Sequence, residues 1–236
     1  MKRDLSLSLR EENKREIRKP QIPVHFSKDE IKKHFDDSLY KINEQFKMAD
    51  SMLESGNVEG CNLVLRSQVV FAEGLLDFYI HEVSKYCLFQ MFSGGWEKSP
   101  KYESILVPMK RVEEAISKVE SNEWFFEYIN EIYSRVVFLS FESMRDQLNL
   151  IGVGFSEVMK KAFPGGKEKE SIDYGRKVVS QLFARRNKIA HQNDRSHLDA
   201  VEDDIDKEFV EDYLNKIVSI VDAIHSVVTE KDEMYY

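Results

Sequence analysis

"QLFARRNKIAHQNDR", residues 181–195, sets polar groups into what is otherwise the apolar stripe of a helix. At 100° per residue, Val178, Val179, Leu182, Phe183, Ile189 and Ala190 fill an arc of about 140°. Such an arc is the buried face of an amphipathic helix. Arg186 falls near its middle, while Asn187 and His191 share a face at its edge, about 40° apart. A guanidinium aimed into a core is costly unless a carboxylate or a polar cleft receives it. Two readings fit this pattern. Arg186 snorkels or closes a structural salt bridge, with His191 capping the helix C-terminus, or the three residues form a functional cluster at a cleft.

The receiving group is sought on the long helix expected from roughly Val58 to Phe92. Nearly every position there is apolar except one stripe, in which Arg66, Glu73, Asp77 and Ser84 lie within about 40° of one another. A polar seam through a buried helix needs a partner surface. Glu73 or Asp77 is therefore expected to hold and orient the Arg186 guanidinium, as a structural ion pair or as support for a site.

Working outward, the rest of the chain also reads as helical. Its 236 residues include 10 Gly and 5 Pro, and strict alternation of apolar and polar residues is scarce. Residues 1–26 read as a charged N-terminal arm and 27–236 as a single α-helical domain. Ser27 is placed to cap a first helix, with Glu30 completing a capping box, and this helix runs to about Ser55. After the 58–92 helix, "SGGW" stops the chain. A short helix is expected at 110–119 and an aromatic-rich one from about Glu123 to Asn149. A short helical piece lies within "GVGFSEVMKKAFPGGKEKE". The motif helix follows from about Ile172 to the neighbourhood of His191, and a last helix from about Asp206 to Thr229. Cys61 and Cys87 sit on one helix about 39 Å apart, so they cannot pair with each other and fit a reducing compartment. No apolar run reaches the roughly 20 residues of a membrane span, and the N-terminus lacks the pattern of a signal peptide. A soluble, cytoplasmic protein is expected.

A net charge of −8 argues against a protein that coats nucleic acid generally. The charge is uneven, however. From Arg176 to Arg195 there are six basic residues and one acid, and from Asp199 to Asp212 eight acids and one Lys. Arg185, Lys188 and Arg195 are thus candidates to bind a polyanion locally. Other chemistries are poorly supported. His191, Asp194, His197 and Asp199 cluster at a fraying helix end and do not converge from several elements as metal ligands do. "PGGKEKES" lacks P-loop spacing, and "GFSEV" lacks the second glycine of a nucleophile elbow. Neither a metal nor a cofactor is expected.

"RRNKIAH" resembles the signature of HEPN domains, with the Arg-Asn pair selecting Arg186 over Arg185 and His191 closing the hexad. "LRSQVVFAEGLLDFYIHEV" resembles the long second helix of the RiboL-PSP-HEPN branch, and the final helix also falls where that branch has one. The resemblance covers about residues 57–230. It implies an all-α HEPN-type bundle with long antiparallel helices that commonly forms homodimers, bringing two motifs into one cleft. It further implies a metal-independent endoribonuclease, often a toxin or a phage-defence effector, acting on RNA and restrained by an antitoxin or another defence-system protein. Arg186, Asn187 and His191 would be catalytic, with Glu73, Asp77 and Arg66 in support. The alternatives are a catalytically silent HEPN module that binds RNA or protein, and a helical scaffold in which Arg186 only forms a buried ion pair.

Overall fold

Ser27 and Glu30 form a reciprocal capping box: the Ser27 N–H donates to Glu30 Oε2 at 2.8 Å and the Glu30 N–H to Ser27 Oγ at 3.3 Å. Two N-terminal amides that the helix itself cannot satisfy are thereby paired. In the computed structural model, which describes residues 24–117, 121–165 and 167–235, this box starts α1, Lys28–Glu54. The charged arm expected at residues 1–26 lies almost wholly outside the described residues. Ile31, Phe35, Ile42, Phe46 and Ala49 recur at helical spacing on the buried face of α1.

The chain reverses at Ser55–Asn57, where Gly56 takes φ 79, a left-handed conformation that glycine adopts without steric cost. It then enters α2, Val58–Ser93, which ends on a second left-handed glycine, Gly94. Helices α1 and α2 form an antiparallel hairpin, and α8, Lys207–Tyr235, packs across it through Val210, Leu214, Ile217, Val221, Ile224 and Val228. Between them come α3 (Met109–Ser117), α4 (Glu123–Tyr133), α5 (Phe141–Leu150), α6 (Phe155–Ala162) and α7 (Glu168–Gln192). The fold is all-α. Among the described residues the only β-type pairing is one isolated bridge, Arg195 to Glu202. No helix among them is long and apolar enough to cross a membrane. Cys61 and Cys87 are both buried and unpaired on α2.

The single helix expected over 123–149 is instead two. Residues 134–140 leave the helical path between α4 and α5, and the cause lies on α2. The Asp77 carboxylate accepts the Phe138 N–H at 2.8 Å, and His81 Nε2 meets the Val136 carbonyl at 3.0 Å. Ser140 then caps α5 by accepting from the Ser143 N–H at 3.1 Å. Phe138 and Leu139 are buried by this detour, while Val136 and Val137 stay exposed. The other differences are at helix ends: α7 begins four residues earlier than expected, and α8 continues to Tyr235.

Candidate active site

The motif helix α7 is held on three sides. Val178, Val179, Leu182 and Ile189 are buried against the core. Gly175 lies so close to α6 that a β-carbon there would stand 2.4 Å from the Met159 sulfur. From α8, the Tyr213 hydroxyl is 2.9 Å from the Leu182 carbonyl and 3.1 Å from Glu73 Oε1. One phenol thus joins α8, α7 and α2. The helix runs antiparallel to α2, because Arg66, seven residues before Glu73, reaches Asp194 just past the end of α7.

On this frame Arg186 and Asn187 are half-buried and His191 is exposed. The Arg186 Nη1 donates to Asn187 Oδ1 at 2.9 Å, whereas its Nε is buried with no hydrogen-bond partner. Among the described residues Arg186 makes no ion pair with Glu73 or Asp77. Three members of the polar seam on α2, Glu73, Asp77 and Arg66, each go to a different element, while the Ser84 hydroxyl is buried without a hydrogen-bond partner. Glu73, 1 % exposed, faces Tyr213, and its second oxygen has no partner. Burial pushes its carboxyl up to about 7, against the opposing pull of the Tyr213 hydrogen bond and the nearby Arg186 charge. Asp77 holds the 134–140 detour, as described above. Arg66 is spent on the segment after α7: its Nε donates to Asp194 Oδ2 at 2.8 Å and its Nη2 to the Asp203 carbonyl at 2.7 Å.

Half of the basic block is neutralised: Arg185, Lys188 and Arg195 have acidic partners, and among the described residues Arg176, Lys177 and Arg186 have none. Chain segment 194–203 folds back on itself, so the acids that follow the motif in sequence meet the cations that precede them. Arg185 contacts Asp203 at 2.7 Å and Asp194 at 2.8 Å, and stacks over Phe209. Lys188 pairs with Asp203 at 2.6 Å. Arg195 donates to the Ala200 carbonyl at 2.9 Å and lies 3.4 Å from Glu202. Of the basic residues beside the motif considered as RNA contacts, these three therefore already have acidic partners. Among the described residues no group of three or more His, Cys, Asp or Glu is placed to hold a metal ion. Asp194, a member of the cluster weighed for one, is enclosed between two arginines.

The family model RiboL-PSP-HEPN matches residues 27–230. The chain belongs to the RiboL-PSP-HEPN family. No curated protein and no solved structure matches it. Membership in a HEPN family points to a nuclease or RNA-binding role, and HEPN domains often dimerise. In this HEPN chain the Arg-Asn-His motif brackets Ile189 and Ala190, which face α2 across a cavity that the three motif side chains do not themselves line. That cavity, of about 430 Å³, has Leu63, Val70, Phe71, Ile189 and Ala190 on its walls and Arg66 at its edge. Leu63, Phe71 and Phe78 stand exposed along the same outer face of α2. Sequence reasoning weighed Asp194 only as a metal ligand and passed over Asp203 and Tyr213. The signal for Asp203 was the acid block directly after the basic one, since opposite charges that close in a chain tend to meet; for Asp194 it was its place as the one acid within the basic stretch. Nothing local marks Tyr213, which lies within an ordinary amphipathic helix.

Proposed function

We propose that this HEPN chain is a metal-independent endoribonuclease that cleaves RNA at a composite site formed by two copies, acting in the cytoplasm as a toxin or phage-defence effector. The observation that carries the reading is the contrast between two adjacent arginines. Arg185 is committed to Asp194 and Asp203, whereas Arg186 has no carboxylate partner among the described residues and is steadied only by Asn187. An uncommitted guanidinium next to an exposed imidazole suits a phosphodiester.

RNA carries its own nucleophile. The ribose 2′-oxygen forms a bond to the adjacent phosphorus as the bond from phosphorus to the 5′-oxygen breaks, leaving a 2′,3′-cyclic phosphate and a 5′-hydroxyl. One proton leaves the 2′-hydroxyl and one reaches the departing 5′-oxygen. An imidazole, which titrates near neutrality, can perform either transfer. Arg186 offsets the charge that builds on the phosphorane oxygens. With its oxygen engaged by Arg186, Asn187 keeps its amide N–H groups to donate to a phosphate oxygen. A second copy supplies the second histidine, so that one acts as base and the other as acid. Support for that copy comes from the exposed Leu63, Phe71 and Phe78 beside the motif, with Val136 and Val137 nearby, because contiguous apolar side chains of this kind mark association surfaces.

A silent RNA-binding or protein-interaction module is favoured by one observation: Arg185, Lys188 and Arg195 are tied to acids, which limits the general grip on phosphate. Incubating purified protein with total RNA in excess EDTA, with His191→Ala in parallel, separates the two. Cleavage by the wild type alone supports the nuclease. Cleavage that appears only when Mg²⁺ or Mn²⁺ is restored overturns the mechanism, and an intact RNA pool with retained binding selects the silent module.

A further inference from the structure

Among the described residues, the His191 ring makes no hydrogen bond or ion pair. It is also the next-to-last residue of α7, in the turn where the helix carbonyls lack intrahelical N–H donors and the end frays. The position of this imidazole therefore depends on whatever holds the backbone just beyond it. That backbone is unusual. Asn193 and Asp194 both lie in the left-handed region, at φ 50 and φ 60, where non-glycine residues persist only if their surroundings hold them.

Every polar group of Asp194 is used to hold it. The carboxylate is wholly buried. Its Oδ2 accepts from Arg66 Nε, a residue of α2, at 2.8 Å. Its Oδ1 lies 2.8 Å from Arg185 Nη1 of α7, a charge contact without hydrogen-bond alignment. The Asp194 N–H donates to the Lys188 carbonyl at 3.0 Å, and its carbonyl accepts the Asp203 N–H at 2.9 Å. One residue ties the end of the motif helix to α2, to the preceding turns of α7 and to the returning segment at Asp203.

We propose that Asp194 is the positioning residue of the Arg186–Asn187–His191 site. By drawing Arg185 inward it leaves Arg186 as the arginine that faces the substrate. By locking the end of α7 it fixes where the His191 ring stands. The inference deepens the nuclease reading and rests on it for the catalytic consequence, though the effect on the ring can be read without any cleavage. A buried carboxylate between two arginines contributes little to stability over a well-packed apolar replacement, which is consistent with a role in geometry.

The test uses the full chain with Asp194→Asn, which keeps an acceptor for Arg66, Asp194→Ala, which does not, and Arg66→Lys, which keeps the charge and weakens the aim. Ile31→Ala, in the distant α1 core, serves as a control for lost stability. All are compared below their melting temperatures by single-turnover RNA cleavage and by NMR of labelled histidine rings. Asp194→Ala is expected to lower the rate constant roughly 100-fold, the scale set by a displacement of about 1 Å in a catalytic group. Asp194→Asn should be intermediate, the half-saturating RNA concentration should change little, and Ile31→Ala should cleave at the wild-type rate. The His191 ring signals should shift or broaden in both Asp194 variants while those of His34 remain in place. If the aspartate variants do not fold, Arg66→Lys takes their place, with a smaller loss in the same direction. Unmoved His191 signals, or a rate that merely follows melting temperature as in Ile31→Ala, would overturn the proposal. A wild type that cleaves no RNA refutes the nuclease reading alone, because the ring signals still decide whether Asp194 positions His191.

Discussion

Glu73→Gln tests the electrostatics beneath the motif. Glu73 is almost fully buried, accepts from Tyr213 with one oxygen and leaves the other unpaired. Its carboxyl is raised from 4.5 to about 7 in the folded protein. At about 1.4 kcal/mol per pH unit, this corresponds to about 3 kcal/mol. The sign follows from proton counting. Between these two values the folded chain holds a proton that the unfolded chain has released. The Glu73 contribution is therefore fully present below pH 4.5, declines as pH rises, and is lost once pH passes about 7. Glutamine cannot ionise and keeps an acceptor for Tyr213, so its stability should not fall for this reason. Urea denaturation of wild type and Glu73→Gln from pH 4.5 to 8 measures the difference directly. The wild type should lose about 3 kcal/mol relative to the variant over that range. If Glu73 were instead an ion-pair partner of Arg186, its folded value would lie below the ordinary one and the variant would lose ground as pH rises. Parallel curves, or that opposite trend, would refute the reasoning.

Two adjacent arginines should part company. Arg185→Ala leaves Asp194 and Asp203 short of a cation and should cost about 3 kcal/mol in denaturation, whereas Arg186→Ala should cost under about 1 kcal/mol and abolish RNA cleavage. His191→Ala, at an exposed position, should likewise cost under about 1 kcal/mol with cleavage lost; a large fall in melting temperature would assign it a structural role. Asp77→Ala strips the Phe138 N–H of its acceptor and should cost about 1–2 kcal/mol, with faster hydrogen exchange at Phe138 as the local signature.

Much of the architecture was legible because it is written locally. The Ser27–Glu30 box, the stop after Ser93 and the 3.6-residue recurrence on α1, α2 and α8 each depend on residues a few positions apart. The break between α4 and α5 is different. "SRVVFLS" contains neither Gly nor Pro, and its aromatic neighbours continue the helical period. What interrupts the helix is a carboxylate on α2, some 60 positions earlier, that competes for the Phe138 N–H. The site was legible in a similarly partial way. The polar seam of Arg66, Glu73, Asp77 and Ser84 is real, but periodicity reports a shared face and says nothing of which neighbour each member meets. Arg66 faces the segment beyond α7, Glu73 faces α8 and Asp77 faces the detour, while the Ser84 hydroxyl is buried without a hydrogen-bond partner. Arg185 and Arg186 could be ranked by the Asn that follows, yet only the fold shows where the first of them is anchored.

The folding back of segment 194–203 has a thermodynamic consequence for any polyanion that meets this surface. Binding to RNA usually gains entropy as condensed cations leave the phosphates, and affinity falls with salt in proportion to the number of phosphates neutralised. Here Asp203 and Glu202 already occupy Lys188 and Arg195. A phosphate that took their place would set a carboxylate free to gather cations of its own, and the net release would be close to nil. The salt dependence of RNA binding should accordingly be about half as steep as the six Arg and Lys between residues 176 and 195 would imply, because only Arg185, Lys188 and Arg195 are so paired. With diffuse charge so discounted, discrimination falls to the fit of one phosphodiester at Arg186 and to the shape of the cavity nearby.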